Sequence, residues 1–347
     1  MLKKMLLPLF LLALLITESH AQLKIGKYAG EFMAIGVGGR ANAMGGAYVA
    51  VANDVTAGYW NPAALARIDY PQIALMYSQN FGSLVNYNYA SAALPYGQDM
   101  SFGLSIIRLG VDGIPDNRQA LVDNENNVIY DIYRPDAHFD PSRIKEFSDA
   151  DWAFYFTFAK RQSDKLYYGA NVKLIRRSIA EYTATGIGFD VGLLYQPTDK
   201  LSLGVNVQDI TTTLVAWNTG TNELISPTAK TGIAYAFNFL YGKVTPAAGF
   251  DMRFENRRFA SQMNVGPVSL DFRGGLEYSY ADVVAVRMGY NDIKDFTVGA
   301  GVRLPKLNID YSFAHFSGAK EDALGDSHKI SLTLTLESPK FLRGAGK

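Results

Sequence analysis

From Ile73 to Leu336 the chain repeats one pattern, segments of roughly nine to eleven residues in which large apolar side chains alternate with polar or small ones. Period two places successive side chains on opposite faces of a strand. Trp152, Phe154, Phe156 and Phe158 share one face, and Leu201, Leu203, Val205 and Val207 alternate with Ser202, Gly204, Asn206 and Gln208. Val284, Val286, Met288 and Tyr290 alternate with Ala285, Arg287 and Gly289, and Ile330, Leu332 and Leu334 with Ser331, Thr333 and Thr335. Two architectures fit: a soluble sandwich with one wet face per sheet, or a closed barrel whose apolar face meets lipid. The second is favoured, because large aliphatics sit mid-strand with aromatics toward the ends, as in a lipid band with aromatic girdles.

About fourteen strands are expected, at 73–81, 87–95, 100–109, 150–160, 166–178, 184–196, 201–209, 228–239, 244–254, 270–280, 283–291, 296–304, 307–315 and 328–336. Long connections, Gly110–Asp149, Ile210–Pro227, Glu255–Ser269 and Phe316–Asp326, fall on one side. Tight turns such as Ala281-Asp282 and Pro305-Lys306 fall on the other, together with both ends of the barrel. The expected fold is therefore all-β, a transmembrane antiparallel β-barrel of the bacterial outer-membrane kind. A long loop such as Gly110–Asp149 counts against a compact soluble domain, but is usual on the outer side of such a barrel.

The N-terminus reads as a secretory leader over residues 1–21. Lys3 and Lys4 precede the apolar run Leu6–Ile16, and Ser19-His20-Ala21 is a small-x-small site before Gln22. The formal net charge of zero disfavours a nucleic-acid partner. With no cysteine, disulfides and thiolate metal sites are excluded.

Residues 22–70 differ from the rest. Gly36–Leu65 is rich in Gly and Ala and nearly uncharged. Gly36-x-Gly38-x-x-Ala41 matches a dinucleotide fingerprint only loosely, lacking a good preceding strand and a following βαβ pattern. A compact segment held inside the barrel, with glycines allowing close backbone approach, is the better reading. The expected organisation is leader 1–21, inner hatch or plug 22–70, barrel 71–337 and a periplasmic tail 338–347.

If the aromatic face meets lipid, the other face lines the lumen. It carries Asn171, Lys173, Asp190, Asn206, Asp251, Arg253, Asp271, Arg273, Glu277, Arg287, Arg303 and Asp310. Charges of both signs in a confined interior should pair, since an unpaired buried charge costs several kcal/mol. The expectation is a structural network holding barrel and plug together, rather than a solute-selective pore. No catalytic, metal or cofactor site is expected. Asp136, His138 and Asp140 lie in the long polar loop and read as solvated, and no HExxH, P-loop or nucleophile elbow is present.

One stretch resembles a known family. Gly39-Arg40-Ala41-Asn42-Ala43-Met44-Gly45-Gly46-Ala47, then Val49 to Asp54, then Tyr59-Trp60-Asn61-Pro62-Ala63-Ala64-Leu65, closely resembles the opening motif of the PorV/PorQ family, within the wider FadL-like group of outer-membrane barrels. The resemblance implies a fourteen-stranded barrel with an N-terminal hatch containing Gly39, Arg40, Met44, Gly45, Gly46, Asp54, Trp60, Asn61 and Pro62. It implies a non-enzymatic role in type IX protein secretion or surface attachment in Bacteroidetes-type bacteria. The expected partners are outer-membrane lipid and secretion-system proteins or secreted cargo. The FadL relatives imply the alternative, import of a hydrophobic ligand through a lateral opening; a barrel hydrolase ranks last. The chain departs from the pattern after Glu337, where Ser338–Lys347 follows in place of a terminal aromatic.

Overall fold

The computed structural model describes residues 23–24, 30–80, 84–255, 257, 260–315 and 326–344. The leader and most of the Phe316–Asp326 connection lie outside the described residues. Fourteen antiparallel strands make the wall. They are β1 (Gln72–Asn80), β2 (Val85–Tyr96), β3 (Met100–Asp116), β4 (Lys145–Arg161), β5 (Leu166–Ile179), β6 (Tyr182–Tyr195) and β7 (Leu201–Gln208). The second half is β8 (Thr228–Tyr235), β9 (Gly242–Arg253), β10 (Val268–Tyr280), β11 (Val284–Tyr290), β12 (Phe296–Leu304), β13 (Leu307–Ala314) and β14 (Ser327–Thr335). Each pairs with the next, and β14 returns to β1 from Gln72↔Thr335 to Gln79↔His328, which closes the ring.

The outward face decides between sandwich and membrane barrel. Leu75 is 56% exposed, Val286 54% and Met288 55%, within a belt of exposed Leu, Val, Ile, Phe and Tyr on nearly every strand. A soluble monomer rarely exposes so continuous an apolar surface; lipid requires one. Among the described residues no helix is long and apolar enough to cross a membrane.

Three connections are more structured than their sequence pattern implies, the third being Glu255–Ser269, where Met263–Val265 pairs with Val268–Leu270. The β3–β4 ladder continues past a bulge between Val111 and Ile114 to Asp116↔Lys145, so the expected loop Gly110–Asp149 shrinks to 117–144. Within that loop Leu121–Val122 pairs with His138–Phe139. Beyond the apolar band neither face needs large side chains, so the ladder persists where period two has faded. The expected connection Ile210–Pro227 likewise contains a hairpin, Thr213–Trp217 with Asn222–Ile225. It follows a break after β7 in which Asp209 and Thr212 have φ of 54° and 60°. Across the break the register against β6 jumps from Val207↔Val191 to Leu214↔Ile187. Leu23–Lys24 pairs in parallel with Asn222–Glu223 at this long-loop end. The barrel's own ends, Gln72 and Thr335, lie at the tight-turn end.

Residues 30–68 run along the inward faces of the wall. The Gly39–Ala43 turn packs on β11 to β14, and the 3-10 helix Pro62–Arg67 on β3, β4, β5 and β6. Tyr48–Ala52 forms a turn in which the Tyr48 carbonyl accepts from Val51 and Ala52, both at 2.9 Å. Tyr48, Tyr59, Trp60 and Leu65 are fully buried with the inward Tyr87, Ile107 and Tyr155 in one apolar cluster. Trp60 packs edge-on against Tyr48 (5.9 Å) and Tyr59 (5.0 Å), the geometry that aromatic quadrupoles favour.

The fit leaves no room for extra atoms. Gly45 has φ of +62°, in the left-handed region, beside the β11 backbone. A methyl carbon on Gly275 of β10 would lie 2.6 Å from the Met44 carbonyl oxygen. Gly275→Leu is therefore expected to expel this part of the inner segment while the outer ladder, untouched, still closes. Trypsin should then cut at Arg40 in the folded variant, with the heat-modifiable gel shift of a closed barrel retained. Protection of Arg40 equal to that in the parent would refute the tight fit.

Candidate functional site

Alternation on β5 to β14 sends a set of charges inward, and the structure groups them into three clusters. Lys173 is 1% exposed, its Nζ lying 2.8 Å from Asp190 and 2.6 Å from Asp209. Arg273 meets Asp251 at 2.8 Å and Asp292 at 2.9 Å, while Arg253 meets Asp292 at 3.1 Å and Asp271 at 3.7 Å. Arg287 bridges Glu277 (2.6 Å) and Asp310 (2.8 Å), and Glu277 also receives Arg40 Nε at 2.7 Å. Asn171 donates to the Gly58 carbonyl at 2.8 Å, and Asn206 to that of Trp60 at 3.0 Å. Arg303 stands apart: it is exposed at the tight-turn mouth and has no ion-pair partner among the described residues.

The motif residues of the inner segment connect to these clusters through side chains and backbone. The Gly39 amide donates to Ser331 Oγ at 2.8 Å, and Arg273 donates to the Gly45 carbonyl at 3.0 Å beside Gly46. Arg40 places both Nε and Nη2 on the Glu277 carboxylate, a fork geometry that fixes orientation as well as distance. Asp54 accepts from Tyr48 Oη at 2.8 Å and from the Thr56 amide at 2.9 Å. Trp60 Nε1 donates to the Val37 carbonyl at 2.9 Å. Asn61 Nδ2 reaches the carbonyls of Val49 (3.0 Å) and Leu193 (3.1 Å), while its Oδ1 caps the 3-10 helix that Pro62 begins. Met44 is fully buried.

Other charged residues of the interior lie outside the expected lumen set, among them Asp209, Asp292, Lys230 and Lys329. Asp209 and Asp292 lie in a strand break and a turn, where alternation gives no facing. Lys230 and Lys329 occupy inward positions of β8 and β14 that alternation does mark. Lys230 Nζ lies 5.8 Å and 5.7 Å from the Tyr59 and Trp60 ring centroids, within cation–π range. Lys329 donates to the Ile35 carbonyl (3.2 Å) and Asn42 Oδ1 (2.9 Å).

Two mouths remain. The tight-turn end opens into a space of about 550 Å³ bordered by Arg40, Asp54, Arg67, Glu277, Arg287 and Arg303. The tail folds across this end: Arg343 donates to the carbonyls of Ala66, Ile68 and Met100 and to Ser101 Oγ. At the long-loop end a cavity of about 380 Å³ lies between Phe32, Ile35, Leu109 and Ile293, with Arg273 and Lys329 at its base. Asp136 binds Arg134, Asp140 binds Ser142, and His138 is exposed. Among the described residues no group of His, Asp and Glu is arranged to hold a metal.

The loop 117–144 is held by carboxylates outside the band: Arg118–Glu181 docks it to the β5–β6 turn, and Asp136 and Asp140 brace it from within. Arg118 holds Glu181 at 2.9 Å and lowers its pKa; the Arg134 hydrogen bond does the same for Asp136, and the Ser142 hydroxyl for Asp140. A depressed folded pKa means that the docking contribution is complete above the free carboxylate value of about 4 and is lost as pH falls through the lowered folded values. A nitroxide on Tyr133→Cys, in a chain with no other cysteine, should thus be constrained at pH 7 and released in acid, at pH values below those of free carboxylates. Identical spectra at both would contradict the docking.

In the interior, Lys173→Met leaves two buried carboxylates facing each other, a loss of about 3–5 kcal/mol. The midpoint of the heat-modified mobility shift should drop, and Asp209→Asn in the same chain should recover part of the drop. An unchanged midpoint would argue for a hydrated interior.

No curated protein matches the chain. Among solved structures it is similar to the P. putida toluene transporter TodX, with a TM-score of 0.60, 14% identity and coverage of 87% of this chain and 99% of that one. It is also similar to the CymD monoaromatic hydrocarbon channel (TM-score 0.59, 13% identity, 88% and 98% coverage) and to the Ralstonia pickettii toluene transporter TbuX (0.57, 14%, 87% and 99%). At such identities the likeness is one of fold, the FadL-like barrel. The family model described as type IX secretion system membrane protein PorP/SprF matches residues 153–334, more than half of the chain. That match lies on β4 to β14, whereas the resemblance to PorV/PorQ rests on residues 39–65. The matched strands carry the three charge clusters, and the chain belongs to the type IX secretion system membrane protein PorP/SprF family.

Proposed function

We propose that this chain is a non-enzymatic outer-membrane component or accessory of type IX protein secretion, and within that system a protein of the PorV/PorQ type. The family match over 153–334 carries the reading. The residues of the PorV/PorQ-like motif support the narrower part of it. In this reading the leader 1–21 is removed, residues 22–70 act as a hatch, and 71–337 form the barrel. The tail 338–347 is periplasmic. The Arg40–Glu277 ion pair and the bonds from Arg273, Asn171 and Asn206 to the carbonyls of Gly45, Gly58 and Trp60 lock hatch to wall, so the lumen is a fixed body and not a wide pore. The long loops then face outward and contact secretion-system proteins or secreted cargo. Asp116–Lys145 marks where the largest loop leaves its ladder, and that loop is the favoured contact.

A second reading, FadL-like passage of a hydrophobic compound, has one specific observation in its favour. The wall is broken after β7 at Asp209–Thr212, next to a small cavity of about 50 Å³ lined by Met33, Lys173, Asp209 and Lys230. The similar solved barrels are named as toluene transporters and a monoaromatic hydrocarbon channel.

Replacement of 117–144 by a Gly-Ser linker separates the two readings. The secretion reading expects a barrel that still assembles but a strong loss of surface-displayed cargo, matching the deletion strain. Normal cargo display in the deletion strain would remove it. Undiminished display with slowed uptake of a hydrophobic tracer would favour transport.

A further inference from the structure

The outward face of β1 to β3 departs from the rest of the apolar belt. Midway along β2 the outward positions are Asn88, Ala90 and Ala92, which are short where the neighbouring strands carry Leu75, Tyr77, Leu104 and Ile106. The shortfall leaves a groove of about 380 Å³ over Asn88 and Ala90, walled by Tyr77 and Ile330 on one side and Ile106 on the other. One end of the same groove is formed by Arg108 and Trp152.

Arg108 is on the outward face: it stands opposite Asn88 and Trp152 in the ladder, two residues from Ile106. Its guanidinium lies 5.6 Å from the Trp152 ring centroid and 4.0 Å from Asp112. Arg176 is the next residue in that row, opposite Trp152; it is exposed and has no ion-pair partner among the described residues. A cation facing mid-bilayer lipid is costly, and the cost falls toward zero near the interface. The strands place the row at that boundary. The β1–β2 ladder ends at Asn80↔Val85, three steps beyond Tyr77↔Asn88.

We infer that this groove is a specific lipid site: an acyl chain lies over Asn88 and Ala90, and Arg108 and Arg176 hold the phosphate of an anionic headgroup in the leaflet at the long-loop end. The inference is independent of the secretion reading, since it needs only the membrane barrel. Phosphate suits the pair because guanidinium donors form paired bonds to its oxygens, and Trp152 gives an interfacial ring to carry the headgroup edge. A membrane-facing wall supplies the acyl chain without a further partner. A protein segment seated in the groove would need apolar area and no phosphate.

The test uses the full chain in mild detergent with added phosphatidylglycerol or phosphatidylcholine of identical acyl chains, read by native mass spectrometry. Wild type should retain one phosphatidylglycerol at about tenfold lower lipid concentration than phosphatidylcholine. Arg108→Gln with Arg176→Gln should abolish that preference while leaving weak retention of both. Ala90→Leu should weaken both lipids alike by filling the groove. All three changes are on the outer face, and the heat-modifiable gel shift checks that each variant is folded. Equal retention of the two lipids by wild type would overturn the inference. So would a preference that survives the double substitution, or binding of neither lipid.

Discussion

The β1–β14 ladder is the contact on which everything else depends. Inside a bilayer no water is available to satisfy a free backbone edge, so a sheet must close on itself. Gln72 to Gln79 pair with Thr335 to His328 although more than 240 residues of chain, on the order of the whole barrel, separate them. Once closed, a fourteen-stranded ring has an inside too wide for wall side chains alone to fill, and some other part of the chain has to occupy it. Residues 30–68 pack against its inward side chains.

The way they fill it explains the mixture of small apolar residues and charge. The apolar cluster around Tyr59, Trp60 and Tyr155 excludes water, which makes each buried charge expensive unless paired. Ion pairs of this sort contribute little net stability over apolar packing, but breaking one is costly. Their effect here is positional. Arg40 and Arg273 each reach across from one body to the other, to Glu277 and to the Gly45 carbonyl, so the segment has one seat in the barrel.

Much of this was legible in the chain itself. The strands from Ile73 onward could be placed because lipid on one side and a polar lumen on the other impose strict alternation, and that constraint acts on every residue of the band. Lys173, Asp190, Asp251, Arg253, Asp271, Arg273, Glu277, Arg287 and Asp310 are buried on the inward face for the same reason. Legibility failed where the constraint lapses. β3 and β4 extend beyond the band on backbone hydrogen bonds alone, and Asp209 and Asp292 enter the clusters from irregular backbone. Arg303 has the right parity but sits too near the mouth to be enclosed.

By itself, then, the sequence determined the wall: its strand number, its two faces, its long and short ends, and a motif pointing to type IX secretion. Those properties follow from period two and local turn chemistry, which are encoded within about ten residues at a time. The tertiary structure alone decided which charge meets which, how Arg343 ties the tail across the tight-turn mouth, and where the outer wall is grooved. Such contacts join residues distant in sequence, as Gly39 meets Ser331 and Arg108 meets Trp152. Their partners are set by register and closure, which no single segment carries.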